Sequence, residues 1–262
     1  MKHVPLQIHL NTTKKQNICM NQYEQFQTEL AEITLDKEVE NYNEQRAEGI
    51  LKLIKKTGAR RVLDIGCGLG KVTTYLAEKN LDVTGIDISP RLIELARKKS
   101  LEKNIPVQFH ITELNKFEPE EKFDVVLFAG VLEHIEEDEQ MMKDAQHLLK
   151  ENGHIIITVP AFSSLFNLRD RRIGHLRRYT KKSMKSKLNR TGYRVMYQKY
   201  YSFAMIFGAL YLKIFKKDEY PFGAVNFFTD KLLNFWYKHL ENNFVFPVGE
   251  HLYSIGKLRS SK

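Results

Sequence analysis

Cysteine is scarce in this chain of 262 residues: Cys19 and Cys67 are the only two. They fit neither a disulfide framework nor a zinc site. So few thiols point to a reducing compartment, and the cytoplasm is the expected location. Long apolar runs are missing as well. The richest stretch, residues 200–212, is too short to cross a bilayer. The opening MKHVPLQIHLNTTKK holds no apolar core of signal-peptide length. Acid is in deficit, 32 Asp+Glu against 41 Lys+Arg, for a net charge of +9. That balance suits an anionic partner, but charge alone does not separate phosphate, carboxylate, nucleic acid and an anionic membrane surface. No internal repeat and no low-complexity tract interrupts the pattern.

The chain is organised around VLDIGCGLG, residues 62–70. An apolar run meets an acid, three glycines follow at alternate positions, and a helical pattern starts at Lys71. This reads as a buried strand, a tight turn and a helix. Glycine permits positive-φ turns and lets main-chain N–H groups approach a ligand, and the helix start adds a positive dipole end. A phosphate loop needs Gly, four residues, then Gly-Lys-Ser/Thr. Here Ile65 replaces the first glycine and Val72 the hydroxyl. A dinucleotide fingerprint needs its third glycine where Lys71 stands. What remains is Asp64-x-Gly66-x-Gly68-x-Gly70.

Around this turn the elements alternate. The pattern predicts a helix over 22–56, stopped at Gly58, then strands at 61–65, 81–86, 107–111, 123–129 and 154–159. Ser89-Pro90 starts one helix and residues 136–150 form another, ended by Asn152-Gly153. Residues 161–179 read as a loop dense in Arg and aromatics, 180–189 as a short basic helix, 193–200 as a strand and 252–258 as a last strand. The expected fold is α/β: a doubly wound, mostly parallel seven-stranded sheet with helices on both faces and a helical, aromatic-rich cap inserted late. Its ligand belongs at the carboxyl ends of the strands. The expected divisions are residues 1–40, a helical or flexible lead; 41–200, the core; 201–246, the cap; and 247–262, the last strand and tail.

Four stretches, VLDIGCGLG, VTGIDIS, FDVVLFAGVLEHI and LLKENGHIIITVP, occur in this order between Asn41 and Gly192. Over those roughly 150 residues the chain resembles the class I S-adenosylmethionine-dependent methyltransferases. The resemblance implies S-adenosylmethionine as cofactor and an enzyme that moves its methyl group. It implies that Gly66, Gly68 and Gly70 lie against the cofactor and that Asp64 holds its ammonium. Asp87 would accept hydrogen bonds from both ribose hydroxyls, for which a carboxylate's two oxygens are suited. Ile88 would cover the adenine, with Thr112 and Glu113 near its amine. Within the class, the chain is similar to the ubiquinone-biosynthesis O-methyltransferase branch. There an arginine about twenty residues before the first glycine binds the cofactor carboxylate, and Arg46 stands at that spacing. Ala129 and Gly130 correspond to cofactor-lining positions. That branch carries acid-x-x-Glu-His after strand four, associated with a divalent metal. Here Gly130 replaces the acid before Glu133 and His134, so no metal is expected and the pair is read as orienting the substrate.

The acceptor side is read from residues 167–180, NLRDRRIGHLRRYT. Similar Gly-His-x-Arg-Arg-Tyr segments occur in a methyltransferase branch associated with surface-glycan or lipid-linked sugar pathways. Arg171, Arg172, Arg177 and Arg178 are candidates to clamp an anionic group. His175 is the candidate base and Tyr179 the candidate positioner of the acceptor. The function expected is methyl transfer to an O or N atom of a small, anionic or lipid- or sugar-linked acceptor. Peripheral membrane contact is a further expectation, from the aromatic segment 202–246 and its lysines Lys213, Lys216 and Lys217. A nucleic-acid methyltransferase is disfavoured, since residues 128–131 (FAGV) lack the Asn/Asp-Pro-Pro-aromatic sequence that cradles a flipped base. A non-catalytic cofactor-binding protein is the third reading. Oligomeric state is left open.

Overall fold

The computed structural model describes residues 37–217, 235–236, 239, 241 and 246–259. Helix α1 (Lys37–Thr57) leads in, and it buries Ile50, Leu53 and Ile54. Gly58, at φ 72°, ends it. The part of the expected first helix before residue 37 lies outside the described residues, as does Cys19. Strand β1 (Arg61–Ile65) runs into the glycine turn and α2 (Lys71–Glu78). Then come β2 (Asp82–Asp87), α3 (Pro90–Glu102), β3 (Gln108–Ile111) and β4 (Phe123–Ala129). Ser89 caps α3 by accepting the Leu92 N–H, and Pro90 occupies its first turn, where no N–H is needed. Val125 to Phe128 are fully buried, because β4 is covered on both faces.

Helix α4 (Asp138–Asp144) is shorter than its sequence suggests. A 3₁₀ turn (Ala145–Leu148) ends it, and β5 (Leu149–Pro160) starts five residues earlier than predicted. Asn152-Gly153 is not a helix stop. It lies in a bulge where pairing passes from Phe123↔Leu149 to Val125↔His154, and Asn152 takes φ 62° to make it. The chain continues through α5 (Leu168–Arg172), α6 (Lys181–Arg190), β6 (Tyr193–Tyr201), α7 (Met205–Ile214) and β7 (His251–Leu258).

The seven strands order as β3-β2-β1-β4-β5-β7-β6. Pairings β1–β2, β2–β3, β1–β4 and β4–β5 are parallel, while β7 runs antiparallel to both β5 and β6. The sheet is therefore mixed and mostly parallel, as expected, with both antiparallel pairings made by β7. Alternating side chains fill two layers, as period 2 requires. One layer holds Leu63, Ile65, Val126, Phe128, Ile155 and Ile157, and the other holds Val62, Val83, Val125, Leu127 and Ile156 under α1. Strand order reverses between β1 and β4, and the crevice at that switch point is where such sheets bind ligands. The cap segment is helical at α7, and most of it beyond residue 217 lies outside the described residues. Among the described residues no helix is long and apolar enough to cross a membrane.

Candidate active site

The glycine turn closes on itself and on β2. The Gly66 and Cys67 N–H groups both reach the Ile86 carbonyl, at 2.8 and 3.1 Å, and Gly70 N–H reaches the Cys67 carbonyl at 2.9 Å. Gly66 and Gly70 have φ of 67° and 66°. A Cβ would meet Val131 at 2.8 Å from the first and Phe109 at 2.7 Å from the second, so neither conformation nor space admits a side chain. Gly68 donates its N–H to Asp87 Oδ2 at 2.9 Å, and Ser89 donates to Oδ1 at 2.9 Å. These bonds hold the Asp87 carboxylate at the end of β2 in one orientation.

Asp64 lies one residue before the end of β1 and is 1 % exposed. Thr73 Oγ1 donates to its Oδ2 at 2.7 Å, while Oδ1 is buried with no hydrogen-bond partner. Burial lifts this carboxyl to about 7, against the Thr73 bond and the Arg46 charge, with Asp87 adding to the rise. Arg46 comes from α1. Its Nη2 donates to Thr158 Oγ1 at 3.3 Å, and its Nε is buried without a partner. A Cβ on Gly130 would lie 2.5 Å from Arg46 Nη2. Position 130 thus makes room for the guanidinium. Ala129 is half-buried beside it at the end of β4. Ile88, just past Asp87, is exposed. Thr112 donates its N–H to the Asp87 carbonyl at 3.0 Å. Glu113 is exposed and pairs with Lys116 at 2.6 Å, which ties it to the surface rather than to an adenine site.

Across the same edge, the 3₁₀ turn Leu132–His134 meets residues 173–179. Leu176 N–H donates to the Glu133 carbonyl at 2.8 Å, and His134 Nδ1 lies 3.2 Å from the Gly174 carbonyl. Asp170, buried in α5, receives His175 Nδ1–H at 2.8 Å and Arg178 Nε–H at 2.8 Å. A capping box formed by Asn167 and Asp170 fixes that short helix. His175 Nε2 lies 3.9 Å from Glu133 Oε1, and Glu133 Oε2 is buried without a partner. Burial raises the Glu133 carboxyl. Burial also lowers His134 to about 3, so its ring is neutral. His251, at the start of β7, is pushed down to about 3 by burial and by the cations Arg46 and Arg178.

Two expected site residues are misplaced. Tyr179 is 1 % exposed, and its hydroxyl sits between the Leu132 carbonyl (2.9 Å) and Asp138 Oδ2 (2.8 Å). It braces the Glu133 turn from inside and does not meet an acceptor. Burial and Asp138 push its phenol well up. Arg178 is also internal, held by Asp170 and by the Ala161 carbonyl. Neither of them clamps a ligand. Arg177 is engaged by the Glu136 carbonyl at 3.1 Å and Asp138 at 3.3 Å. Arg171 and Arg172 remain exposed, the former stacked 6.0 Å over Phe166. Tyr179→Phe should cost about 1–2 kcal/mol of stability by denaturant titration, the usual worth of a buried hydrogen bond. It should leave turnover within about twofold, where a catalytic phenol contributes about 10²-fold or more.

A methyltransferase-domain profile matches residues 56–208, more than half of the chain. The chain belongs to the methyltransferase-domain family. Among curated relatives, the ubiquinone biosynthesis O-methyltransferase of Proteus mirabilis is 32 % identical over 120 residues, 45 % of this chain and 46 % of that protein. The Xylella fastidiosa enzyme of the same description is 35 % identical over 118 residues, 44 % and 48 % of the two chains. The chain thus spans about half the length of the curated relatives it matches. A methyltransferase structure from Clostridium acetobutylicum superposes with a TM-score of 0.57 at 15 % identity, covering 92 % of this chain and all of that one. Magnesium protoporphyrin IX methyltransferase of Synechocystis, with bound S-adenosylhomocysteine, gives 0.54 at 16 % identity, over 82 % and 83 %. These two share the fold.

In this methyltransferase, sequence reasoning missed Asp170 and Thr73. Asn167-x-x-Asp170 carries a capping-box spacing and was the available signal for the first. Thr73 gave none, since a threonine in a helix's first turn has many reasons to be there. The pair Glu133–His134 alone gave no metal site. The fold adds His175 to it, and one ligand-type atom from each of the three lies within 4.8 Å of the others.

Proposed function

We propose that this chain moves a methyl group from S-adenosylmethionine to an O or N atom of a small acceptor carrying an anionic or sugar-linked group. One observation carries the reading: Asp64 Oδ1 and Arg46 Nε are both buried and unpartnered, opposite in charge, beside the glycine turn. Unsatisfied buried polar atoms are costly, so such a pair is built for a ligand. A carboxylate suits an ammonium and a guanidinium suits a carboxylate, which together describe the amino-acid end of S-adenosylmethionine. Asp87, oriented by the Gly68 and Ser89 N–H groups, would accept the two ribose hydroxyls. Gly66, Gly68 and Gly70 let the ligand lie on the backbone. Ala129 lines the cleft, and Ile88 and Thr112 flank the adenine.

The acceptor reaches the methyl past Glu133, His134 and His175. Its nucleophilic atom forms a bond to the methyl carbon while the sulfur–carbon bond breaks, and S-adenosylhomocysteine leaves. The nucleophile's proton passes to His175 Nε2, the lone-pair nitrogen, because Asp170 fixes the proton on Nδ1. Positioning does most of the work, since the sulfonium is already a good leaving group. Arg171 and Arg172 supply the positive charge that draws an anionic acceptor. Helix α7, with Phe207 and Ile214 exposed and Phe215 exposed just past its end, is the part of the cap that would meet an apolar tail or a bilayer surface.

Incubation of a metabolite extract with the protein and isotopically labelled methyl donor, read by mass spectrometry, tests the activity. A labelled product names the acceptor. Tight cofactor binding with no labelled product would leave a cofactor-binding protein instead. Asp87→Ala should weaken S-adenosylhomocysteine by about 100-fold or more, because two charge-assisted hydrogen bonds are lost. Unchanged affinity by calorimetry would remove the ribose assignment.

A further inference from the structure

Two hydrogen-bond acceptors from different loops converge in the acceptor cleft. Glu133 is 3 % exposed, and its Oε2 is buried with no hydrogen-bond partner. His175 Nε2 lies 3.9 Å from Glu133 Oε1. His175 Nδ1–H donates to Asp170 at 2.8 Å, so Nε2 presents a lone pair. The bond from Leu176 N–H to the Glu133 carbonyl, 2.8 Å, ties the two loops together and fixes their spacing. Among the described residues no lysine or arginine forms an ion pair with Glu133: Arg178 is held by Asp170, and Arg46 lies on Thr158. A buried carboxylate with an unpaired oxygen is a place where a ligand supplies the missing donor.

We propose that the methyl acceptor is the nitrogen of a primary amine, seated between Glu133 and His175. This rests on the methyltransferase reading and narrows its acceptor to one kind of atom. Two hydrogen bonds of about 2.9 Å that meet at one nitrogen span the 3.9 Å gap. The two N–H bonds of the amine go to the Glu133 carboxylate and to His175 Nε2, and its lone pair faces the methyl carbon. An alcohol has one O–H and leaves a buried acceptor unpaired, which is costly. A vicinal diol fills both acceptors, but its oxygen must give up a proton to attack well, and an oxyanion beside the Glu133 carboxylate is repelled. An amine attacks while neutral. The nitrogen–carbon bond forms as the carbon–sulfur bond breaks, sulfur keeps that electron pair, and S-adenosylhomocysteine leaves. Positive charge passes from sulfur to nitrogen, where Glu133 stabilises it. The new ammonium then gives one proton to His175 Nε2 and departs as a secondary amine. That product keeps a single N–H, so a second methyl should be added about tenfold or more slowly.

The test incubates a metabolite extract with the full chain and a methyl donor labelled with carbon-13 in its methyl group. Carbon NMR tells N-methyl from O-methyl products by their shifts. The expected product is a secondary amine carrying one labelled methyl. An O-methyl product overturns the proposal, as does one carrying mostly two or three methyls on nitrogen. Where no product forms, the seat is probed with methylamine, which is small enough to enter whatever the shape of the acceptor. In the protein loaded with S-adenosylhomocysteine, methylamine should saturate with a Kd of about 10 mM, near the ceiling for a ligand of so few atoms. It should shift the ring nitrogens of His175. Methanol and ethylene glycol should bind about tenfold or more weakly. Glu133→Gln should lose about tenfold or more of the methylamine affinity, with far-UV circular dichroism checking its fold. If that variant does not fold, the wild-type comparison of the three probes decides. Absence of saturable methylamine binding overturns the proposal, as does ethylene glycol binding as tightly as methylamine. S-adenosylhomocysteine affinity is measured first by calorimetry. If it does not bind, the methyltransferase reading fails, and methylamine titration of the cofactor-free protein still reads the seat.

Discussion

Asp64→Asn should bind no S-adenosylhomocysteine and yet unfold at a higher temperature than the wild type at pH 8. The wild-type carboxyl rises on folding from an ordinary 3.8 to about 7. Between those values the folded state holds a proton that the unfolded state has lost, so stability falls as pH climbs through this range. The penalty is complete above pH 7 and approaches about 4 kcal/mol, roughly three units at 1.36 kcal/mol each. Asparagine carries no charge and keeps an acceptor for Thr73 Oγ1. Its amide group goes unsatisfied at a cost of about 1–3 kcal/mol. The net gain is then about 1–3 kcal/mol at pH 8, a few degrees in Tm for a chain of this size. At pH 5 the wild-type group is protonated and the advantage should vanish. Calorimetric scans of both proteins at the two pH values decide the matter. An Asp64→Asn protein that is less stable at pH 8, or equally shifted at both, would show that the carboxylate is not a strained ligand site. The same linkage predicts that ligand binding at pH 6 releases a proton, visible as a buffer-dependent heat.

Asp170→Ala should lose about 3–5 kcal/mol of stability, the cost of leaving a buried cation without its partner. Arg178 has its Nε on both Asp170 oxygens, at 3.0 and 2.8 Å, and its Nη1 donates to the Ala161 carbonyl at 3.3 Å. The alanine also removes the capping box of α5 and the acceptor for His175 Nδ1–H. Stability and positioning separate in a double variant. Asp170→Leu with Arg178→Met replaces the ion pair by apolar volume, and such exchanges are often neutral or stabilising. The double variant should therefore melt within a few degrees of the wild type. Its turnover should stay low, because His175 is no longer held in one tautomer. Full activity in a stable double variant would show that Asp170 serves the fold alone.

What could be read from sequence divides along a physical line. The glycine turn, Asp87 and the strands are local: spacing and periodicity within about twenty residues define them. Arg46 was singled out by the family resemblance alone, and the fold sets its guanidinium at the end of β4 and β5, on Thr158. Tyr179 and Arg178 went wrong for the opposite reason. A polar side chain in a loop near the strand ends looks the same whether it faces a ligand or a buried carboxylate. The partners that hold these two inside, Asp138 and Asp170, lie 41 and 8 positions away. The start of β5 was hidden by Asn152-Gly153, a pair as much at home in a bulge as after a helix. The meeting of Glu133 with His175 depends on two loops from different strands, and no spacing rule reaches across them.

The placement of β7 sets the order in which the molecule can be made. Its neighbours β5 and β6 are finished by Tyr201, but they are not neighbours of each other. Both pair with the strand that begins at His251. A chain emerging from the ribosome must therefore carry two open sheet edges through the whole synthesis of residues 202–250. Open edges recruit other strands, and long-range pairing is slow to close. The Glu250 carbonyl that receives the Ala161 N–H arrives in the same late step. The wall beside residues 161–179 thus waits on the synthesis of β7, and a nascent chain stalled before His251 would show the glycine turn complete beside an unfinished wall.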